Sequence, residues 1–320
     1  MRKVLILAFL LIGTVAQAQT RVPRLGFLVQ EMGRAQSQAL KGVSAELKKL
    51  GYQERKNFSL ETCNAKGDRS ALQASAKELA DKKVEVIFTT GTRATMAAIS
   101  ASQDVPIVFV HPGDPAAVGL VKGAADSPRN VTGVAAYAAE TTEKRLALFK
   151  EILPTLTKIH VFFDTNSSFS RNNFALAESA AKKLGVQISG HGVKSTDELK
   201  TTLSNLKNEP GAAIFQVTDD LVESEAEYVF ATARQKKMPT VFNEEVWAIN
   251  GATVAYGPSY LDMGRLAAHS IAEIFKGKAP AALPIVRATK FDLTINYRGA
   301  KFIDLVLSNN ILKQADKVIR

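Results

Sequence analysis

The groups in this 320-residue sequence best placed to meet a ligand are polar side chains where apolar runs end. The densest such stretch is 84–120. An apolar, β-rich run at 84–90 ends in Thr90-Gly91-Thr92, and small, helix-compatible residues fill 93–102. A second apolar run, 105–110, ends in His111-Pro112-Gly113-Asp114-Pro115. Amides and hydroxyls at a helix start can hold an anion such as a carboxylate. Thr92 can equally serve as the cap of its own helix. Asp114 reads both as an N-cap followed by Pro and as an anionic partner for an ammonium group. Asp219, in Thr218-Asp219-Asp220 after the apolar run 212–217, poses the same choice. Two carboxylates at facing rims, with hydroxyls beside them, suit a zwitterion better than a sugar. On that reading Asp219→Ala removes binding and leaves the protein folded. Tyr137, Phe163, Phe169, Trp247 and Tyr256 stand near strand ends as candidate apolar walls, with Tyr256 beside Gly257-Pro258 the first choice.

Catalytic signatures are missing. The sequence has no P-loop, no Gly-x-Gly-x-x-Gly, no Gly-x-Ser-x-Gly and no His-Glu-x-x-His. Its four histidines, His111, His160, His191 and His269, lack metal-ligand spacing. No cofactor or metal is expected and no enzyme activity; an exported hydrolase would need a paired nucleophile and base, which is not found. Cys63 is the only cysteine, so no internal disulfide forms, and it reads as a small buried hydrophobe at a strand end. Lys and Arg are scattered rather than clustered. The net charge of +10 therefore reads as solvated surface, not as a nucleic-acid site.

The elements that must position these residues alternate. Apolar runs at 24–30, 58–62, 84–90, 105–110 and 130–134 read as strands, with helices at 40–50, 68–82, 93–102 and 115–121. The pattern restarts with a helix at 142–153. Strands follow at 159–163, 186–189, 212–217, 239–242 and 253–256, and helices at 171–184, from Ser195 onward, at 221–236 and at 259–276. A tail carries a strand at 291–295 and a helix at 298–307 capped by Asn296. Alternating β and α elements with continuous apolar strands predict an α/β protein of two doubly wound parallel-sheet lobes. The returning tail predicts a multi-crossover hinge. The expected division is 21–137 with about 258–280 in one lobe and 138–257 with about 281–320 in the other. In such sheets ligands bind outside the carboxyl ends of the strands. Residues 1–18 read as a secretory signal peptide: Arg2-Lys3, an apolar core at 4–12 and Ala16-Gln17-Ala18, with the core too short to span a bilayer.

The segments TTGTRA, VPIVFVHPGDPAAVGLV, NVTGV, KRLALFKEILP, AYGPSYLDMGRLAA and ALPIVRATKFDLTINYRGAK occur in an order that resembles one family. It is the ABC-transporter substrate-binding proteins that include the tryptophan/tyrosine-type solute receptors. The resemblance covers nearly all of the chain after the leader. It implies a type I periplasmic binding fold with three crossovers and a cleft that closes on its ligand. It also implies Gln30 where the first strand meets the cleft, Thr90, Gly91 and Thr92 as a carboxylate holder, Asp114 after the fourth strand, Ser168 in the polar second-lobe loop, Asp219 as the ammonium reader, and Tyr256 at a crossover. His111-Pro112-Gly113 departs from the small apolar residues expected there, and TNSSFS at 165–170 matches only loosely; both departures fall in the cleft. The function implied is a monomeric periplasmic receptor that takes an amino acid or similar small ligand and delivers it to an ABC permease in the inner membrane. A sensory subunit serving a membrane signalling receptor would use the same cleft.

Overall fold

The computed structural model describes residues 22–121 and 129–320. The expected leader at 1–18 lies outside the described residues. Among those described, no helix is long and apolar enough to cross a membrane.

The first half alternates strand and helix: β1 (Arg24–Val29), α1 (Arg34–Lys49), β2 (Ser59–Asn64), α2 (Arg69–Asp81), β3 (Val86–Thr90), α3 (Thr92–Ala101), β4 (Ile107–His111) and β5 (Val131–Ala135). The second half repeats the plan with α4 (Ala138–Ile152), β6 (Lys158–Asp164), α5 (Ser168–Leu184), β7 (Gln187–Val193), α6 (Thr196–Asn205), β8 (Ala212–Phe215), α7 (Asp220–Ser224), α8 (Ala226–Gln235), β9 (Thr240–Phe242), α9 (Glu245–Asn250) and β10 (Val254–Pro258). The chain then adds α10 (Tyr260–Phe275), β11 (Val286–Arg287), β12 (Phe291–Asn296), α11 (Tyr297–Phe302), α12 (Asn309–Gln314) and β13 (Lys317–Ile319).

These strands form two sheets, ordered β2-β1-β3-β4-β5-β11 and β7-β6-β8-β9-β10-β12-β13. The first is parallel throughout; the second is parallel except where β12 returns antiparallel to β10. Both halves thus share one winding order. In each, the direction of winding reverses between the first and third strands, at β1/β3 and at β6/β8. A crevice opens at that reversal, at the carboxyl ends of the strands. β3, β4 and β5 are buried along their whole length, which is why their sequences are continuous apolar runs rather than alternating ones.

The chain passes between the sheets three times among the described residues: after β5, after β10 and after β11. The crossings are bonded to one another. Ala288 N donates to Ala135 O at 2.8 Å, and Ser259 N donates to Lys290 O at 3.0 Å. Beside them Arg34 of the first lobe meets Glu245 of the second at 3.0 Å, and Lys317 meets the same carboxylate at 2.5 Å. The expected lobe boundary near 280 comes too early, because β11 still pairs with β5 of the first sheet.

Other expectations shift for local reasons. Residues 115–119 form turns instead of a helix, with Leu120 N bonded back to Pro115 O at 2.9 Å. The single helix expected at 221–236 is two, broken at Glu225 (φ −111°, ψ 20°), a site without Gly or Pro to mark it. The helix expected at 298–307 ends at Phe302, although Asn296 does cap it. The short elements α9, β11, α12 and β13 had no periodic signal of their own. Cys63 is half-buried on β2, and burial together with the nearby Glu61 charge pushes its thiol up, away from reactivity.

Helix α10 is held in the first lobe by close backbone packing on α1. A Cβ on Gly264 would lie 2.0 Å from Ala39 O, and one on Gly42 would lie 2.1 Å from Leu261 O. Such crowding forces helices apart, and overpacking typically costs about 1–3 kcal/mol. We expect Gly264→Ala to lower unfolding free energy by about that amount in chemical denaturation. A loss of only a few tenths of a kcal/mol would show that α10 shifts freely on α1.

Candidate functional site

At the first rim, β3 ends in Thr90 and the chain turns at Gly91, whose φ of 79° is a left-handed conformation suited to glycine. The turn is fixed by Thr95, whose hydroxyl donates to Gly91 O at 2.7 Å and contacts Thr89 Oγ1 at 2.8 Å. Helix α3 starts there with no side-chain cap. Its first amides are therefore open to an incoming acceptor. Thr90 Oγ1 is buried without a partner. Thr92 is paired with His111 on the neighbouring strand, at 3.0 Å from Nε2. Gly113 N donates to His111 Nδ1 at 3.1 Å, so that nitrogen is an acceptor and the ring proton sits on Nε2. His111 then donates to Thr92, whose own hydroxyl proton is left to point elsewhere. Burial holds His111 below the usual histidine range, which favours this neutral form. Asp114 Oδ1 accepts from Ala116 N at 2.9 Å, closing a turn rather than capping a helix. Gln30 lies just past β1, across the winding reversal from Thr90, and its carbonyl accepts from Gly67 N at 2.8 Å.

At the second rim, Asp219 is fully buried, and its two oxygens accept from Asp164 N at 2.6 Å and Val222 N at 2.9 Å. It caps α7 and ties the loop after β8 to the end of β6. Both oxygens are engaged with backbone, so the side chain expected to read an ammonium group is occupied structurally. Ser168 is exposed in the first turn of α5, while Ser167 caps that helix through Ser170 N at 3.2 Å. Tyr256 belongs to the second-lobe core: it is 6% exposed and stacks on Phe291 at 5.8 Å, with Lys144 above both rings. Trp247 packs against Phe230 and Phe242, and Phe163 stacks on Phe174. Thr90, Thr92, His111 and Asp114 are thus gathered on one rim, Ser168 and Asp219 on the other. Among the described residues no hydrogen bond or ion pair joins the two sets.

The second rim holds a polar cluster that strand-end reasoning missed. Buried Arg145 donates to Gln216 O and lies over the Phe215 ring at 4.6 Å. Burial presses its pKa down, but a guanidinium remains charged at neutral pH. Gln216 Nε2 donates to Glu223 Oε1 at 2.8 Å, and Gln216 Oε1 is buried without a partner. Asn243 Nδ2 donates to Thr218 Oγ1 at 3.1 Å, and its Oδ1 too is unpartnered. Burial, with the charges of Glu244 and Asp220 beside it, pushes the Glu223 carboxyl up to about 8. Burial also raises Glu244, which lies within hydrogen-bonding reach of Tyr260 at the start of α10. Glu244 and Tyr260 line a cavity of about 280 Å³ between the lobes, with Arg34 and Lys290. A cavity of about 240 Å³ near Thr240 and Thr253 lies at the opposite end of the second sheet and takes no part in this site. Glu244 lies two residues past the end of β9, so its place at a strand end was a usable signal. Glu223 and Arg145 sit inside helices and gave none.

Two expectations follow. Asp219→Ala strands two buried amides and removes a cap, so it should destabilise the fold by about 2–4 kcal/mol in chemical denaturation. A raised carboxyl binds its proton more tightly folded than unfolded. Stability therefore falls as pH rises from about 4.5 through about 8 on account of Glu223. The stability difference between wild type and Glu223→Gln, measured at pH 5.5 and 8, should shift in favour of the variant at the higher pH.

Residues 28–319 match the family described as ABC transporter substrate binding protein. The tyrosine-binding protein of Clostridioides difficile (strain R20291) is 27% identical over 267 residues, 83% of this chain and 76% of that protein. The fold is shared with the ABC domain in complex with L-Trp from Streptococcus pneumonia, at 22% identity and TM-score 0.76 over 93% of this chain and 99% of that one. It is shared also with a ligand-free, open substrate binding protein with adhesive properties from Clostridium difficile, at 24% identity and TM-score 0.78 over 93% and 99% of the two chains. Two lobes of one winding order, three bonded crossings and polar groups on facing rims form a type I periplasmic binding fold. The chain belongs to the family of ABC transporter substrate-binding proteins, which hold ligands rather than transform them.

Proposed function

We propose that this chain captures an amino acid or a closely similar zwitterion between its lobes and delivers it to an inner-membrane ABC permease, working in the periplasm after loss of its leader. The observation that carries this reading is a division of unpartnered groups. The first rim offers donors: the uncapped α3 amides, the Thr90 hydroxyl and the free proton of Thr92. The second rim is rich in acceptors, Gln216 Oε1, Asn243 Oδ1 and the Glu223 and Glu244 carboxyls, with one unmet donor among them, Nε of the Arg145 guanidinium that already serves the Gln216 carbonyl. Donors suit a carboxylate and acceptors suit an ammonium group, so a zwitterion would bridge the rims with its acid end toward the first lobe. A ligand bonded to both rims stabilises the closed arrangement, because only there are both sets of contacts made. The naming of one relative as tyrosine-binding and the L-Trp held by another favour an aromatic amino acid.

The three crossings supply the hinge. Arg34–Glu245 spans the lobes beside it, but both side chains are part exposed, and such pairs are worth at most about 1 kcal/mol. A bridging ligand therefore outweighs it. Micromolar affinity corresponds to roughly 8 kcal/mol.

Titration calorimetry of the leader-free protein with L-tyrosine and L-tryptophan should show saturable binding at one site. Thr92→Val should weaken it roughly tenfold or more, the worth of one hydrogen bond to a charged group, alongside a stability loss of about 1–3 kcal/mol from leaving the buried His111 N–H unpaired. No binding by any common amino acid at millimolar concentration would remove this reading.

A further inference from the structure

We propose, building on the zwitterion reading, that Glu223 is the carboxyl that receives the ligand's ammonium group and that it releases one proton to the medium as it does so. The other carboxylates of the second rim are committed or outlying. Asp219 has both oxygens on backbone amides and no exposure. Asp164 Oδ1 accepts from Asn166 N at 2.7 Å. Asp220 is exposed at the start of α7. Glu244 shares its carboxyl with Tyr260. Glu223 is clamped in place by a buried amide, Gln216 Nε2 at 2.8 Å, and by the backbone amide of Asp219, and its two carboxyl oxygens keep lone pairs for a further donor.

Gln216 is the independent sign that something else is meant to dock there. It is 2% exposed, its carbonyl is anchored by Arg145, and its Oε1 has no partner although it sits on the same amide that holds Glu223. An unmet buried acceptor costs roughly 1–3 kcal/mol, so it persists where a donor arrives. An ammonium group brings three N–H donors. Glu223 and Gln216 Oε1 take two of them, and Asn243 Oδ1 on the same rim is a further open acceptor.

The charges facing Glu223 decide its state before the ligand arrives. Asp219 and Asp220 lie on its own turn, Glu244 comes from the loop after β9, Tyr260 from the start of α10, and Arg145 from α4. Burial and the three carboxylates outweigh the one cation, and the carboxyl keeps its proton near neutrality. The arriving ammonium reverses that balance. The Glu223 O–H bond breaks, its electron pair stays on the carboxylate, and the proton passes to the buffer. The ligand remains an ammonium ion throughout. Binding is then linked to proton loss, and affinity falls about tenfold for each pH unit below about 8.

The test is calorimetry of the leader-free chain with L-tyrosine and L-tryptophan at pH 7, in phosphate and in Tris, whose ionisation heats differ widely. Release of about one proton per ligand should appear as an enthalpy difference between the buffers, and Kd should rise about tenfold from pH 7 to pH 6. Glu223→Gln keeps an oxygen that accepts from Gln216 Nε2 but has no proton to release; it should bind at least tenfold more weakly with the buffer difference gone. Equal enthalpies in the two buffers for wild type, or a buffer difference that survives in Glu223→Gln, would overturn the proposal. The wild-type pH series decides the matter even where the variant fails to fold. No binding by any common amino acid at millimolar concentration removes the zwitterion reading itself, and the proton release with it.

Discussion

Two backbone hydrogen bonds, Ala288 to Ala135 and Ser259 to Lys290, turn three separate chain crossings into one hinge. Everything functional depends on that constraint. Two lobes joined by a single linker would meet in many orientations, and no pair of rims would face each other reproducibly. Three strands bonded side by side permit bending across them and resist shear and twist. The close packing of α1 on α10, glycine against backbone on both sides, extends the constraint inward by fixing the returning helix in the first lobe.

The rims themselves are held by side-chain hydrogen bonds rather than by salt bridges. Thr95 fixes the turn at Gly91, His111 fixes Thr92, and Asp219 fixes the ends of β6 and β8 against each other. Asp219, used in this way and fully buried, is withdrawn from a ligand, whereas Thr92 keeps its own hydroxyl proton free. What is left over is informative: unpartnered donors on the first rim, and on the second lobe unpartnered acceptors with the Arg145 Nε and Trp247 Nε1 donors unmet among them. Each lobe alone bears an unfavourable polar burial that the other lobe cannot relieve directly, since donors and acceptors are separated by the cleft. On the proposed reading a ligand carrying both charges would join them and so couple recognition to closure.

Much of the fold was legible in the chain. Continuous apolar strands alternating with helices imply parallel sheets covered on both faces, and the restart near residue 138 implies two of them. The turn at Thr90-Gly91-Thr92 was legible as well, because a left-handed glycine between a strand and a helix is a local matter. Asp219 was visible as a strand-end carboxylate, but its role was not. The amide that takes its second oxygen belongs to Asp164, 55 residues away. Likewise Tyr256 stands at a crossover in sequence, yet its ring turns into the core against Phe291.

Sequence by itself determined most of the elements, the two-lobe architecture, the family and the turn at Gly91, because each rests on periodicity, on turn chemistry or on ordered motifs within short stretches. Tertiary structure alone decided which carboxylates are spent and which are open. Glu223 lies within a helix, and its character comes from Gln216, Glu244, Arg145 and Tyr260, brought to it by four different elements. Charge, burial and hydrogen-bond supply at a point in space are sums over neighbours, and those neighbours are assigned only when the sheets wind and the chain crosses back.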